Sequence, residues 1–226
     1  MAGRTDAHRA VGTKIAAIPV KSLDRAKSRL APVLSRLERG ALTLAMLEDM
    51  LDSMLAIPGW ESWVISPDEV VLEIASRRGA KPIPEQKPSL TAAVRQIETL
   101  AHEQEGSALA IVPGDLPLLS TPKMTEALRT LGPVVLAPSA DGSGTSLLLR
   151  RPPRAIPARF GADSFRRHVE LAHERGLPVS VVQISELSFD LDVPGDILTL
   201  LGTDRPGRTR EVCMQMGLGE RLGAYA

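Results

Sequence analysis

Short apolar runs alternate along this chain with longer stretches of helical periodicity. Ile15 to Val20 is a compact apolar run. Glu38 to Ala56 then repeats Leu42, Met46, Met50 and Leu51 on one helical face, and Pro58-Gly59 ends it. Trp63 to Ile65, Lys81 to Ile83, Ala108 to Val112, Val134 to Ala137, Ser146 to Leu149 and Val179 to Gln183 read as further strands. Helices are predicted from Ser66-Pro67-Asp68-Glu69 to Gly79, from Ser89 to Glu103, and from Thr121-Pro122 to Gly132. Two more are predicted from Ser164 to Arg175 and from Pro194 to Leu201. Strands that alternate with helices imply parallel crossovers, so the expected fold is α/β, a Rossmann-like three-layer sandwich around a mainly parallel sheet.

The ends of the chain lack this pattern. Residues 1–13 are polar and small, and read as a disordered leader; 14–202 form the patterned domain. Thr203 to Arg210 is rich in Pro, Gly and Arg, so 203–226 reads as a linker and C-terminal tail, with a short helix somewhere after Glu211.

Composition narrows the function. A chain of 226 residues with 43% hydrophobic content can bury one large core. Net charge is zero, so no nucleic-acid or membrane surface is expected from bulk charge. Aromatic residues are 3% of the chain, too few for a base-stacking platform. The single Cys213 leaves no internal disulfide, and with no signal-peptide pattern or long apolar run the expected location is cytoplasmic. No Gly-x-Ser-x-Gly motif supports a hydrolase, and His8, His102, His168 and His173 lack zinc-ligand spacing. Met46, Met50 and Met54 recur at four-residue spacing as core filler.

Three segments carry candidate chemistry. Leu109 to Val112 runs straight into Pro113-Gly114-Asp115, which places Asp115 just past the carboxyl end of a buried strand. That edge is where open α/β sheets bind ligands, and a carboxylate there can hold a hard divalent cation against phosphates. The alternative is a turn in which Asp115 caps the helix near Thr121. The first strand leads into a loop with Lys21, Arg25, Lys27 and Arg29, four cations in nine residues. Such a loop suits a triphosphate, although a solvated basic surface loop reads the same way, and the Walker pattern is absent. In Phe189-Asp190-Leu191-Asp192-Val193-Pro194, Asp190 and Asp192 share side-chain parity if a strand continues through them; otherwise Asp192 caps the following helix. One of the two is expected to ligate metal and the other to be structural.

Two further segments suit an anion. Asp141-Gly142-Ser143-Gly144-Thr145 offers flexible backbone amides and a hydroxyl, or is an ordinary hairpin loop. Arg159-Phe160-Gly161-Ala162-Asp163-Ser164 opens a helix, as an anion site or as plain capping by Asp163 or Ser164. Arg166, Arg167 and His168 follow; Arg167 or His168 could reach the acceptor, although a solvated face is the expected reading.

In order along the chain stand P-V-K-S-L-D-R-A-K-S-R-L-A-P, S-P-D-E, V-P-G-D-L-P, D-G-S-G-T, R-F-G-A-D-S-F-R-R-H and F-D-L-D-V-P-G-D. This ordered set resembles the 2-phospho-L-lactate guanylyltransferases of coenzyme F-420 biosynthesis and their phosphoenolpyruvate and 3-phosphoglycerate relatives, over roughly Lys14 to Gly202. The resemblance implies a fold like that of nucleotide-diphospho-sugar transferases. It implies guanylyl transfer from GTP to a small phosphorylated carboxylic acid, with release of pyrophosphate. By the same resemblance Asp115, Asp190 and Asp192 hold Mg2+, and Lys21, Lys27 and Arg29 serve the triphosphate. Ser89, Leu90, Pro113 and Gly114 line the nucleotide, while Thr145, Gly161 and Ser164 hold the acid. The chain has Gly144-Thr145-Ser146-Leu147 where the family has G-T-N-A, and it lacks an Asn after Leu90. The choice of acid and the strictness for guanine therefore stay open, as does a homodimer. Transient contact with the next transferase of the pathway is expected because the product ester is labile. The alternatives are a molybdenum-cofactor-type or sugar-phosphate nucleotidyltransferase, against which the missing L-x-G-G opening counts, and a non-catalytic nucleotide-binding module.

Overall fold

The structure, a computed structural model, describes residues 12–223. Most of the expected leader lies outside these residues. Gly12 and Thr13 are described, and both carbonyls accept hydrogen bonds from Ser107.

The first half of the chain is strictly alternating. Strand β1 (Lys14–Pro19) is followed by α1 (Arg36–Leu55), β2 (Glu61–Ser66), α2 (Glu69–Arg78), β3 (Lys81–Pro84), α3 (Leu90–Glu103), β4 (Ala108–Ile111) and α4 (Thr121–Arg129). The second half starts with β5 (Val134–Pro138), β6 (Thr145–Arg150), α5 (Ser164–Glu174) and β7 (Val179–Val181). It ends with the helices α6 (Ser185–Ser188), α7 (Pro194–Leu201), α8 (Arg208–Gln215) and α9 (Leu218–Gly223). Among the described residues the strands form one seven-stranded sheet in the order β3-β2-β1-β4-β6-β5-β7. Its pairings are parallel except for β6, which is antiparallel to both β4 and β5.

Side-chain alternation along the strands builds the layers. On β1, Ala16 and Ile18 pack with Leu47, Met50 and Met54 of α1 on one face. Ile15 and Ala17 pack with Val94 and Ile97 of α3 on the other. Val134 and Leu136 of β5 and Leu148 of β6 meet Ala172 and Val169 of α5 beyond them. Helix ends follow local chemistry. Ser35 and Glu38 close a capping box on α1, Asp68 accepts from Val70 N–H at the start of α2, and Gly79 ends α2 at φ 95°. The cap of α2 is thus Asp68, whereas Ser66 belongs to β2.

Two expectations are corrected. No strand runs through residues 189–192; α6 precedes them, and they form an extended connection into α7. The segment read as a linker and tail with one short helix forms two helices, α8 and α9, whose Cys213, Leu218 and Leu222 are buried against Leu42 and Met46 of α1. The start of α8 is held by a distant carboxylate. Asp49 of α1 accepts from Arg208 N–H at 2.8 Å, Thr209 N–H at 2.9 Å and the Thr209 hydroxyl at 2.6 Å. A composition typical of linkers hides this, because the cap lies far away in sequence. Among the described residues no helix is long and apolar enough to cross a membrane.

Candidate active site

The sheet order fixes where a ligand can enter. From β1 the chain steps outward to β2 and β3, and α3 then returns it to β4 on the other side of β1. Loops leaving the carboxyl ends of β1 and β4 therefore diverge, and a crevice opens between them. A cavity of about 700 Å³ lies there, lined by Lys21, Arg25 and Lys27 after β1, Asp115 after β4, Asp192, and the β3–α3 loop. Gly114 permits this approach: a Cβ at that position would stand 3.2 Å from Val20 Cγ2 and 3.3 Å from Ile18 Cγ2. Pro113, Gly114, Ser89 and Leu90 also line the cavity.

Lys27 is the centre of the charged end. Its side chain is 6% exposed, and Nζ donates to Asp115 Oδ2 at 2.9 Å and to Asp192 Oδ1 at 2.8 Å. Burial works against the ammonium, but the charges of Asp115 and then Asp192 outweigh it and raise the lysine pKa. Asp192 is also half-buried; that burial is overcome by the Lys27 charge, which holds the carboxyl below its ordinary value. Lys27 sits at φ 50°, ψ 43°, in a left-handed conformation that costs a non-glycine residue roughly 1–2 kcal/mol. The two carboxylates hold it there. Arg29 is 72% exposed and reaches Asp192 only at 3.6 Å, and it lies outside the cavity lining. Lys21 and Arg25 are exposed on the cavity wall.

Neither aspartate is a helix cap. Asp115 is bonded to Lys27 rather than to α4, and the first turn of α7 is served by Asp196, whose Oδ2 accepts from the N–H groups of Asp192 and Val193 at 2.7 Å each. Asp190 differs from its neighbours. It has no salt bridge among the described residues, and burial followed by the nearby Asp115 charge raises its pKa. Two carboxylates thus share one buried ammonium, and Asp190, outside the cavity lining, adds a third anionic group that feels the Asp115 charge. That donor chemistry fits magnesium, which binds through one or two carboxylates together with substrate phosphates. It is not a preformed cage: among the described residues no group of three or more His, Cys, Asp or Glu side chains is arranged to hold a metal.

The other end of this sheet edge belongs to β6 and α5. Ile111 of β4 faces Leu148 of antiparallel β6, so Asp115, four positions after Ile111, and Thr145, three before Leu148, emerge at the same edge. A register shift between Ala137 and Pro138 places Thr145 opposite Pro138, and Ser146 is the extra residue. Thr145 consequently faces α5 although Leu147, two residues on, packs toward α1. The amides expected to bind an anion are largely used internally. Asp141 accepts from Ser143 N–H, Ser139 Oγ accepts from Gly144 N–H, and Ser143 carbonyl accepts from Phe165 N–H at the start of α5. Hydrogen bonds from Ser139 and Ser143 hold the Asp141 carboxyl well below its ordinary range. Asp163, at φ 52°, makes no side-chain cap, and Gly161 is exposed at φ 114°.

What remains is a buried hydroxyl pair governed by a histidine. The solvated face expected for His168 is corrected: the residue is fully buried. Its Nε2 accepts from Arg159 N–H at 2.8 Å, so Nδ1 carries the proton in the neutral ring. Nδ1 lies 3.0 Å from Thr145 Oγ1, and Ser164 Oγ lies 3.1 Å from the same atom. Burial, then the charges of Arg150 and Arg159, push the His168 pKa down to about 4. With Nδ1–H donating to Thr145 and one bond joining the two hydroxyls, one hydroxyl proton of the pair has no acceptor among the described residues. That leaves one unspent donor, in a pair that is buried and stands outside the cavity lining, as does Gly161. The ring also packs edge-on against Phe160, which lines the cavity. A histidine surrounded by Arg and Glu in sequence gives no sign of burial; only the 3.6-residue spacing from Ala172 and Ser164 marks it.

Comparison with known proteins joins these features. Residues 14–219 match the family model described as guanylyl transferase CofC like. The phosphoenolpyruvate guanylyltransferase of Rubrobacter xylanophilus is 38% identical over 188 residues, covering 82% of this chain and 92% of that one. The 3-phospho-D-glycerate guanylyltransferase of Phenylobacterium zucineum is 38% identical, covering 83% and 89%. The 2-phospho-L-lactate guanylyltransferase of Methanothermobacter thermautotrophicus is 39% identical, covering 80% and 81%. Among solved structures, a candidate nucleotide-diphospho-sugar transferase from Desulfovibrio desulfuricans superposes with a TM-score of 0.77 at 16% identity, covering 94% of this chain and 97% of that one. A nucleotidyl transferase from Methanothermobacter gives a TM-score of 0.62 at 15% identity, covering 83% and 95%. These two likenesses establish the nucleotide-diphospho-sugar transferase fold.

Proposed function

The chain belongs to the guanylyl transferase CofC-like family and is a nucleotidyltransferase; from that premise we propose that it transfers the guanylyl group of GTP to a phosphorylated three-carbon acid in coenzyme F-420 biosynthesis. Relatives named for phosphoenolpyruvate, 3-phospho-D-glycerate and 2-phospho-L-lactate stand at 38%, 38% and 39% identity, and each of these acids carries one phosphate and one carboxylate. The observation that carries the reading is Lys27, an ammonium buried between Asp115 and Asp192 in the crevice where β1 and β4 diverge.

An oxygen of the acceptor phosphate attacks the α-phosphorus. The new phosphorus–oxygen bond forms as the bond to the β-phosphate bridge breaks, and pyrophosphate leaves with that electron pair. A phosphate nucleophile is already ionised, so no general base is required, and the work is positioning and charge neutralisation. Lys27, with Lys21 and Arg25 on the wall, meets the triphosphate, and Asp192 fixes Lys27 in place. Asp115 and Asp190 would hold a magnesium ion, which supplies charge neutralisation for phosphate oxygens. The spare hydroxyl proton of Thr145 and Ser164 is donated to the acceptor phosphate, and Phe160 excludes water beside it.

The test incubates the protein with magnesium, GTP and each of the three acids, and follows pyrophosphate release. Release that depends on both GTP and an acid is expected. Release with a sugar phosphate instead, or no release with any acid, overturns the proposal.

A further inference from the structure

We propose that Glu85 reads the guanine base, making it a specificity residue for the donor nucleotide; the inference rests on the GTP reading above. Four carboxylates line the cavity: Asp24, Glu85, Asp115 and Asp192. Asp115 and Asp192 are bonded to Lys27, and Asp24 is bonded to Arg36. Glu85 alone of the four has no cationic partner among the described residues. The only hydrogen bond of its carboxylate there is accepted by Oε1 from Ser89 N–H at 2.9 Å, so Oε2 is bonded to no donor among the described residues.

The backbone that carries the carboxylate is held from several directions. Glu85 N–H donates to Ser66 carbonyl at the end of β2 at 2.9 Å. The next residue, Gln86, donates its N–H to Gln96 Oε1 at 3.0 Å, and Gln96 Nε2 returns a bond to Pro84 carbonyl at 2.9 Å. Ser89, which fixes Oε1, caps α3. An acceptor so placed can discriminate rather than adapt.

Position and chemistry select the base. Sheet order puts the end of β3 two strand spacings from β1 and three from β4, roughly 10 and 14 Å. That is the reach of a nucleoside from its base to its α-phosphate, so phosphates at Lys27 and Asp115 bring the base to the β3–α3 loop. Pro67, Pro88 and Leu90 supply apolar walls there. An ionised carboxylate only accepts hydrogen bonds. Guanine presents two adjacent donors, N1–H and the 2-amino group, whereas adenine and cytosine present an acceptor at the equivalent ring nitrogen. Glu85 therefore matches guanine and opposes the other two.

Glu85→Gln separates this role from a structural one. The amide oxygen can still accept from Ser89 N–H, while the amide nitrogen turns a donor toward the donors of guanine. Steady-state kcat/KM is measured for GTP and for inosine triphosphate, which lacks the 2-amino group, in wild type and in Glu85→Gln. Loss of a charge-assisted bond predicts a fall of about tenfold to hundredfold with GTP, and loss of the wild-type preference for GTP over inosine triphosphate. Wild-type efficiency with GTP in Glu85→Gln overturns the inference. So does an equal fall with both nucleotides, which points to the ribose or the loop. If wild type itself turns over no GTP, it is the proposed reaction that fails.

Discussion

Lys27 and Asp192 are separated by 165 positions in the chain and by 2.8 Å in space. One comes from the loop after the first strand, the other from the connection into α7, and the bond between them closes the charged end of the cavity. Lys27→Ala is expected to lower kcat/KM for GTP by about a hundredfold, with a smaller effect on the KM of the acid. Adding Asp192→Asn to that variant should then cost little more, because its partner is already gone. Equal loss for both substrates, with independent effects of the two substitutions, would mean that the pair serves folding.

The metal assignment separates the three aspartates. Asp115→Asn and Asp190→Asn are both expected to raise the magnesium concentration needed for half-maximal turnover, by about tenfold or more. Asp192→Asn should lower turnover with no comparable shift, since Asp192 faces both Lys27 and Arg29, whereas Asp115 faces Lys27 alone. Manganese binding followed by paramagnetic relaxation of water checks the same order without turnover. A wild-type metal midpoint in Asp190→Asn removes that residue from the site.

His168 makes a pH prediction. Its pKa is depressed from 6.5 to about 4 in the folded chain, so the unfolded chain takes up the proton first. The stabilisation is fully present above pH 6.5 and is lost as pH falls from there toward about 4, amounting to about 3 kcal/mol. Denaturant unfolding at pH 7.5, 5.5 and 4.5 measures it. In His168→Asn, which retains a donor toward Thr145 but has no ring to protonate, the slope over this window should flatten. An unchanged slope would place the titration elsewhere.

Thr145→Val tests the hydroxyl pair. It should weaken use of every accepted acid by about tenfold to hundredfold and leave GTP binding in place. Retained efficiency with all acids would make Thr145 a structural residue of the bulge.

The sequence carried the strand–helix alternation well, because burial on both faces writes continuous apolar runs such as Leu109 to Val112. It also carried the cationic loop and the aspartates, which are local signals of residue type. Long-range partners were illegible. Nothing near Thr209 announces Asp49 as its cap, and nothing near His168 announces a bond to Arg159 N–H. The antiparallel direction of β6 was hidden as well, because a buried strand reads the same either way. The amides of 142–144 looked free for an anion because glycine and serine alone do not show that the turn folds back on itself, with the Ser139 carbonyl and the side chains of Ser139 and Asp141 as acceptors.

The two C-terminal helices yield a stability prediction. Truncation after Gly207 would expose Leu42 and Met46, which Cys213, Leu218 and Leu222 cover. Uncovering large apolar side chains at about 1.5–3 kcal/mol each should destabilise the domain by several kcal/mol. The melting temperature of the truncated chain measures this; an unchanged value would make the helices dispensable.

The reversed strand β6 has a consequence for registry. Strands β1 and β4 reach the shared edge with their carboxyl ends, and β6, paired directly to β4, reaches it with its amino end. The antiparallel pairing of Ile111 with Leu148 therefore sets the relative height of Asp115 and Thr145. A slip of β6 along β4 would carry Thr145 toward or away from Asp115 while the β1–β4 pairing, and the crevice built on it, stayed in place.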